Sequence, residues 1–106
     1  MANGIARGGD SLTTGHNCTP TTTLNALTVK GVSAKVYING EAVACIGDNT
    51  VVHPSGDDFP ICSVTHIAQV NEGSTKVFVG GVGVARIGDG ADSGAITEGS
   101  TNVFAG

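Results

Sequence analysis

An internal repeat constrains the fold of this chain more than any other feature of its sequence. KVYINGEAVACIGD at residues 35–48 is followed by KVFVGGVGVARIGD at residues 76–89, with the same order of apolar residues and glycines. In each copy two apolar runs flank a dipeptide, Asn39-Gly40 or Gly80-Gly81. Both central residues of a two-residue hairpin must accept a positive φ, which asparagine and glycine do at little cost. Each copy is therefore predicted to form a β-hairpin.

A third copy is divided between the two ends of the chain. AITEGSTNVFAG at residues 95–106 matches the first strand of the repeat, and IARGGD at residues 5–10 matches the second. We expect the two termini to pair and to close a ring of three hairpins, which removes exposed strand edges. The predicted fold class is all-β, with approximate threefold symmetry made from a single chain.

Length, composition and charge exclude several classes of protein. A length of 106 residues indicates one domain, residues 1–106. The 17 glycines and 4% aromatic residues favour short strands and tight turns over a large core. A net charge of −4 with five basic residues does not suit a phosphate backbone, so we expect no nucleic-acid partner. Neither a signal peptide nor an apolar run of about 18 residues is visible.

The three connections between the hairpins are unequal, and the two long ones carry all three histidines. The connections span residues 11–27, 49–66 and 90–95. Imidazole and thiolate are ligands that zinc prefers, and a structural zinc site takes four of them in a tetrahedron. We therefore predict one structural Zn²⁺ ion, held by His16, His53, Cys62 and His66. Such an ion can contribute on the order of 10 kcal/mol to folding.

Two alternatives to this ligand set stay open. Cys18, two residues after His16, competes with Cys62 for a ligand place. Surface histidines without a metal are the simpler possibility, and iron is the alternative metal, although three imidazoles and a thiolate favour zinc. Three cysteines are an odd number, which fits a disulfide framework poorly and indicates a reducing compartment.

The remaining polar residues of the repeat indicate structural roles. Asp10, Asp48 and Asp89 occupy equivalent positions, as expected for side chains that hydrogen-bond to a turn. Cys45 takes the place of Arg7 and Arg86 in the repeat, which favours a packing or surface role. No carboxylate accompanies the histidines in a motif such as H-E-x-x-H. We therefore predict no catalytic residue and no organic cofactor.

The repeats are similar to those of the PAAR-repeat family. The resemblance rests on GEAVACIGD and GVGVARIGD, each after a V-(Y/F)-(I/V) strand, and on EGSTKVF and EGSTNVF. The Pro-Ala-Ala-Arg stretch of the family corresponds to AVAC at residues 42–45 and GVAR at residues 83–86, and the proline is absent from both. The resemblance covers essentially the whole chain.

This resemblance implies a function as well as a shape. Members are small conical β-structures that cap and sharpen a trimeric β-helical spike protein (VgrG-like) in contractile phage tail baseplates or type VI secretion systems. They aid membrane piercing, and many carry toxic domains before or after the repeat. Because the repeat here fills residues 5–106, we expect a bare tip without an extension or effector domain, and not an enzyme. A zinc near the apex, held by three histidines and a cysteine, corresponds to His16, His53, Cys62 and His66 here. The expected location is the virion, or the bacterial cytoplasm followed by secretion on the spike, with a monomer on each trimer and effector proteins as further partners.

Two other functions remain as alternatives. One is a small metal-dependent hydrolase, in which His16, Cys62 and His66 form an incomplete zinc site that keeps a water molecule. The other is a β-structure that binds a flat surface or a polysaccharide, suggested by TPTTT at residues 19–23. The lack of a nearby acidic base argues against the first, and the lack of a regular threonine ladder argues against the second.

Overall fold

Short strands joined by tight turns make up the part of the chain that the computed structural model describes, residues 3–25 and 36–106. This part contains no helix, and so no helix that could span a membrane. The all-β prediction is confirmed. The predicted end of the first connection at Leu27 lies outside the described residues. The strands are β1 (Asn3–Gly4), β2 (Ser11–Thr13), β3 (Thr21–Asn25), β4 (Tyr37–Ile38), β5 (Glu41–Ala42), β6 (Asn49–Thr50), β7 (His53–Pro54), β8 (Thr65–His66), β9 (Phe78–Val79), β10 (Val82–Gly83), β11 (Gly90–Ala91), β12 (Gly94–Ala95) and β13 (Phe104–Ala105).

Both predicted hairpins are present. Strands β4 and β5 pair antiparallel across Asn39 and Gly40, whose φ angles are 56° and 82°. Strands β9 and β10 pair in the same way across Gly80 and Gly81, with φ angles of 59° and 85°. Two consecutive positive φ angles match the right-handed twist of the flanking strands, which is why these dipeptides form the turn.

The third hairpin is built from the two ends of the chain. Strand β1 pairs antiparallel with β13, and Asn3 lies opposite Ala105 while Gly4 lies opposite Phe104. This pairing corresponds to the one within the two continuous hairpins, except that no turn joins the strands. The divided third copy is therefore confirmed.

Three inner segments, residues 5–10, 43–48 and 84–89, meet around an approximate threefold axis. The amide of Ala6 donates to the carbonyl of Ala85 at 2.9 Å, that of Ala85 to Ala44 at 2.8 Å, and that of Ala44 to Ala6 at 2.9 Å. These bonds form a closed ring, and all three alanines are fully buried. A small side chain is required here because three backbones approach one another at this level.

A second set of equivalent residues surrounds this ring. Leu24, Val70 and Ile96 are almost completely buried and pack with the three alanines in one cluster. Their amides donate at 2.9–3.0 Å to the carbonyls of Asp10, Asp48 and Asp89. The core is thus distributed over three similar units, as a chain poor in large aromatic residues requires.

The repeated aspartates close the turns that follow the inner segments. In every copy the aspartate Oδ2 accepts a hydrogen bond at 2.8 Å from the backbone amide three residues earlier. The predicted structural role is therefore confirmed. Two of the copies add an ion pair between the aspartate and the arginine, whereas Cys45 is fully buried, as the packing interpretation predicted. The backbone amide and the aspartate that accepts from it belong to Arg7 and Asp10, Cys45 and Asp48, and Arg86 and Asp89.

The connections pair among themselves rather than repeating the symmetric pattern. Strands β2, β3 and β6 form a three-stranded sheet that joins the first two connections. Strands β7 and β8 pair within the second connection, and β11 and β12 pair within the third. The molecule measures 40 × 28 × 22 Å along its principal axes, so it is longer in one direction than it is wide.

Candidate metal centre

Two of the histidines are direct neighbours across a strand pair. Strand β7 pairs with β8 so that His53 lies opposite His66. Side chains in this position have Cβ atoms about 5 Å apart, which brings the two rings into contact. Their Nε2 atoms are 2.9 Å apart. The second connection therefore supplies two ring nitrogens directed at one point.

His16 reaches the same point from the first connection. Its ring centroid lies 4.7 Å from that of His66 and 5.9 Å from that of His53. The His16 amide donates to Thr14 Oγ1 at 3.1 Å, which fixes the local backbone. The structure thus brings together the three histidines on which the sequence-based prediction rested.

An aspartate from the third connection lies at the centre of this group. Asp92 Oδ1 is 2.8 Å from His16 Nε2, and Oδ2 is 2.6 Å from His53 Nε2. Its Oδ1 also lies 3.2 Å from His66 Nε2, and the carboxylate side chain is only 4% exposed. Burial alone would raise the pKa of the Asp92 carboxyl, but its contacts with the ring nitrogens of His16, His66 and His53 hold that pKa below its ordinary value.

These four side chains have the arrangement of a metal site. Their ligand atoms all lie within 4.8 Å of one another. The His53 side chain is 3% exposed and the His66 side chain 33%, so an ion would reach the group from the side of His66. Three imidazoles and a carboxylate are ligands that Zn²⁺ accepts.

The fourth predicted ligand, Cys62, lies outside this group. Cys62 forms a disulfide with Cys18, and a disulfide sulfur has no thiolate to offer a metal. The expectation that the odd cysteine count disfavours a disulfide was wrong, because Cys45 is the odd residue and remains a free, buried thiol. The ligand role of Cys62 remains a prediction that requires the reduced form.

The disulfide forms because the first two connections run side by side. The Cys18 amide donates to the Gly56 carbonyl at 3.1 Å, and the Asn17 amide donates to Asp57 Oδ1 at 3.0 Å. Cys18 and Cys62 are 44 residues apart in sequence. Spacing alone does not determine such a long-range pairing.

Sequence reasoning missed Asp92. The expectation that no carboxylate stands beside the histidines considered only neighbours in sequence, whereas Asp92 is 39 residues from His53. A signal was nevertheless present. The turns of the two continuous hairpins consist of Asn-Gly and Gly-Gly, whereas the turn between β11 and β12 consists of Asp92 and Ser93. The φ angles of Asp92 and Ser93 are 51° and 63°. Non-glycine residues in this region are uncommon and often mark functional positions.

A comparison with protein families supports the interpretation of the fold. The family model described as PAAR motif matches residues 28–96. The chain belongs to the PAAR motif family. This family is associated with structural spike-tip proteins of contractile injection systems, typically seated on a spike of the VgrG type. A comparison with curated proteins gave no match.

The structure extends the family match to the divided third hairpin. The matched range includes both continuous hairpins and the second and third connections. The divided third hairpin lies mostly outside it, and there the pairing of β1 with β13 is the evidence. Together they confirm the resemblance inferred from the sequence.

Proposed function

We propose that this chain is the tip of a contractile injection machine and caps the blunt end of a trimeric β-helical spike of the VgrG type. On this proposal the protein travels with the spike, either in a phage tail baseplate or during type VI secretion. The role is mechanical, and the chain is not an enzyme. One observation carries the proposal: the threefold arrangement of exposed aromatic residues on the hairpins.

These aromatic residues occupy equivalent positions in the three hairpins. Tyr37, Phe78 and Phe104 are 61%, 55% and 52% exposed, although large aromatic side chains are scarce in this chain. Each stands on the first strand of its hairpin, opposite the small residues Ala42, Gly83 and Gly4 respectively. Exposed apolar groups of this kind mark interaction sites. Three related groups on one chain match a partner that presents three identical surfaces.

A second group of exposed apolar residues lies away from the hairpins, in the asymmetric second connection. These residues suit transient contact with the target membrane, because apolar side chains gain free energy when they enter a bilayer. Among the described residues of the other two connections no large apolar side chain is similarly exposed, so this group does not fit a threefold partner. They are Val52, Phe59, Ile61 and Val64, with Ile67 directly after the connection, each more than half exposed.

A zinc ion at the three histidines completes the proposal. Three neutral imidazoles with one anionic ligand favour Zn²⁺ in a closed, structural site. The ion would tie all three connections together, since His16, His53 and Asp92 come from different ones. We expect one zinc per chain by elemental mass spectrometry, and its loss in His53→Ala.

The geometry does not favour the alternative of a metal-dependent hydrolase. Asp92 contacts the ring nitrogens directly, whereas a hydrolase keeps an open metal position and a carboxylate held back as a base. A cavity of about 500 Å³ is lined by residues that include Leu24, Tyr37 and Val51, and it contains none of the four site residues. A hydrolytic rate that disappears on chelation would contradict the proposal that the chain is not an enzyme.

Binding to a purified trimeric VgrG-type spike from the same organism tests the tip function. We expect one chain per trimer by native mass spectrometry. The triple variant Tyr37→Ser, Phe78→Ser and Phe104→Ser should lose binding, because it removes all three contacts. Phe59→Ser is the matched control, since it removes an equally exposed aromatic from the second connection. Equal binding by the triple variant and the wild type would exclude the hairpin face as the contact surface.

A further inference from the structure

The contacts around His53 favour a cation beside its Nε2 atom. His53 Nδ1 lies 2.8 Å from the carbonyl oxygen of Val51, which can only accept a hydrogen bond. Nδ1 therefore carries the proton, and in a neutral imidazole Nε2 then presents a bare lone pair. That lone pair faces Asp92 Oδ2 at 2.6 Å. Two lone pairs at this distance repel each other unless a cation lies between or beside them.

A metal ion satisfies the cluster better than a proton does. A proton on one histidine connects two atoms only, whereas four ligand atoms converge here within 4.8 Å. His53 Nε2 lies 2.6 Å from Asp92 Oδ2 and 2.9 Å from His66 Nε2. Asp92 Oδ1 lies 2.8 Å from His16 Nε2 and 3.2 Å from His66 Nε2. Ligands about 2.0–2.1 Å from a tetrahedral zinc lie about 3.3 Å from one another. The quoted separations are shorter than this, so the ligand atoms would move apart slightly to hold zinc.

We infer that Asp92, rather than Cys62, is the fourth ligand of this site. The inference rests on the proposed zinc site and changes its ligand set from three histidines and a thiolate to three histidines and a carboxylate. Asp92 supplies the negative charge that Cys62 cannot supply while it is bonded to Cys18. The disulfide and the metal then form two separate links between the connections.

The third connection is held firmly where Asp92 can act as a ligand. The Gly15 amide donates to the Asp92 carbonyl at 3.1 Å, next to His16. A Cβ atom added at Gly94 would lie 2.0 Å from the Thr13 carbonyl oxygen, so the turn packs directly on the first connection. Asp92 itself has a φ of 51°, a conformation that glycine adopts more easily. Asp92 thus occupies a backbone conformation that favours glycine, at the one position of the turn from which its carboxylate contacts all three imidazole rings.

This ligand set predicts that metal binding does not depend on the redox state of the cysteines. With Cys62 as a ligand, oxidation to the disulfide would release the metal. With Asp92 as the ligand, zinc stays bound whether Cys18 and Cys62 are oxidised or reduced. The two ligand sets therefore predict opposite zinc binding under oxidising conditions and in cysteine variants.

Metal titration and cobalt spectroscopy on the full chain test the inference. Asp92→Asn keeps the shape and tolerates the left-handed backbone, and it should weaken zinc binding by more than about 100-fold. The double variant Cys18→Ser and Cys62→Ser should bind zinc as the wild type does. Asp57→Asn, in the exposed second connection, is the matched control. Co²⁺ in the reduced wild type should give no thiolate-to-cobalt charge-transfer absorption in the near ultraviolet.

Each contrary result has a separate meaning. A charge-transfer band in the reduced wild type, or zinc loss in the cysteine variant but not in Asp92→Asn, would overturn the role of Asp92 and leave the zinc site standing. A wild type that binds neither Zn²⁺ nor Co²⁺ would overturn the zinc site together with this inference. Neither result affects the spike-binding assay, which tests the hairpin face alone. Circular dichroism of each variant confirms that a loss of metal is not a loss of fold.

Discussion

The symmetric body and the asymmetric connections of this molecule are stabilised in different ways. In the body, equivalent backbone hydrogen bonds around Ala6, Ala44 and Ala85 recur three times, and small buried residues fill the axis. In the connections, a disulfide and a cluster of three histidines and Asp92 hold segments such as residues 53–66, whose large apolar side chains are mostly exposed.

The difference separates the residues that build the fold from those that carry chemistry. A residue that recurs in every copy, such as Asp89, has the same structural contact each time. The three histidines and Asp92 of the cluster, by contrast, do not occupy positions that recur in the repeat. In a single chain with internal symmetry, departures from the repeat are therefore the places to look for a site.

The largest expected effect concerns the cross-link between the connections. Replacing Cys18 and Cys62 with serine should lower the free energy of unfolding by about 4 kcal/mol, because the disulfide closes a loop of 44 residues. Urea unfolding of the wild type with and without reductant should give the same difference. If the variant and the reduced protein were as stable as the wild type, the disulfide would not contribute to holding the connections.

A somewhat smaller effect is expected at the axis of the body. Ala85→Leu adds a bulky side chain at a fully buried position where three backbones meet. Overpacking of this kind should reduce the free energy of unfolding by about 3 kcal/mol, measured by thermal or urea unfolding. Ala68→Leu, at a half-buried position beyond the second connection, is the control and should change stability little. Equal effects at the two positions would contradict the close packing of the three inner segments at the axis.

The turn aspartates give a test within the body itself. Asp89→Ala leaves the Arg86 amide and guanidinium without their acceptor and should lower the free energy of unfolding by about 2 kcal/mol. Asp10→Ala should have a similar effect, since Arg7 makes the same contacts. Asp57→Ala, in an exposed loop, should have a smaller one. Unequal effects at Asp10 and Asp89 would show that the copies are not energetically equivalent.

The smallest effect on stability is expected at Cys45. Burial, together with the nearby Asp48, raises the pKa of the Cys45 thiol from 9.0 to about 11. Because the folded pKa is the higher one, the contribution to stability is fully present below pH 9.0 and is lost as the pH rises through about 11. Urea unfolding between these pH values measures that loss.

Thiol alkylation checks the state of all three cysteines. The native protein at pH 8 should react slowly with iodoacetamide, because Cys45 is buried and protonated. Unfolding without reductant should expose one thiol, and unfolding with reductant should expose three. Rapid labelling of the native chain would contradict the burial of Cys45.

Most of the body could be predicted from the sequence, because each structural feature occurs in more than one copy of the repeat. The hairpin dipeptides Asn39-Gly40 and Gly80-Gly81, the divided third copy and the role of Asp89 all follow from local turn chemistry applied to aligned copies. Local rules of this kind depend on a few neighbouring residues, which a single sequence contains.

The site was predictable only in part, because long-range pairing decides it. Ligand chemistry identified the histidines, but the opposition of His53 and His66 depends on the register of β7 with β8. The pairing of Cys18 with Cys62 and the approach of Asp92 depend on how the connections pack against one another. Neither periodicity nor spacing in the sequence contains that information.

Hydrogen–deuterium exchange, measured with and without a zinc chelator and a reductant, tests the separation of body and connections most directly. The amides of Ala6, Ala44 and Ala85 should stay protected in both conditions, since their bonds belong to the closed ring. Residues 53–66 should lose protection when the metal and the disulfide are removed, because these links hold the second connection. Loss of protection in the ring at the same time, or unchanged protection in residues 53–66, would contradict the account.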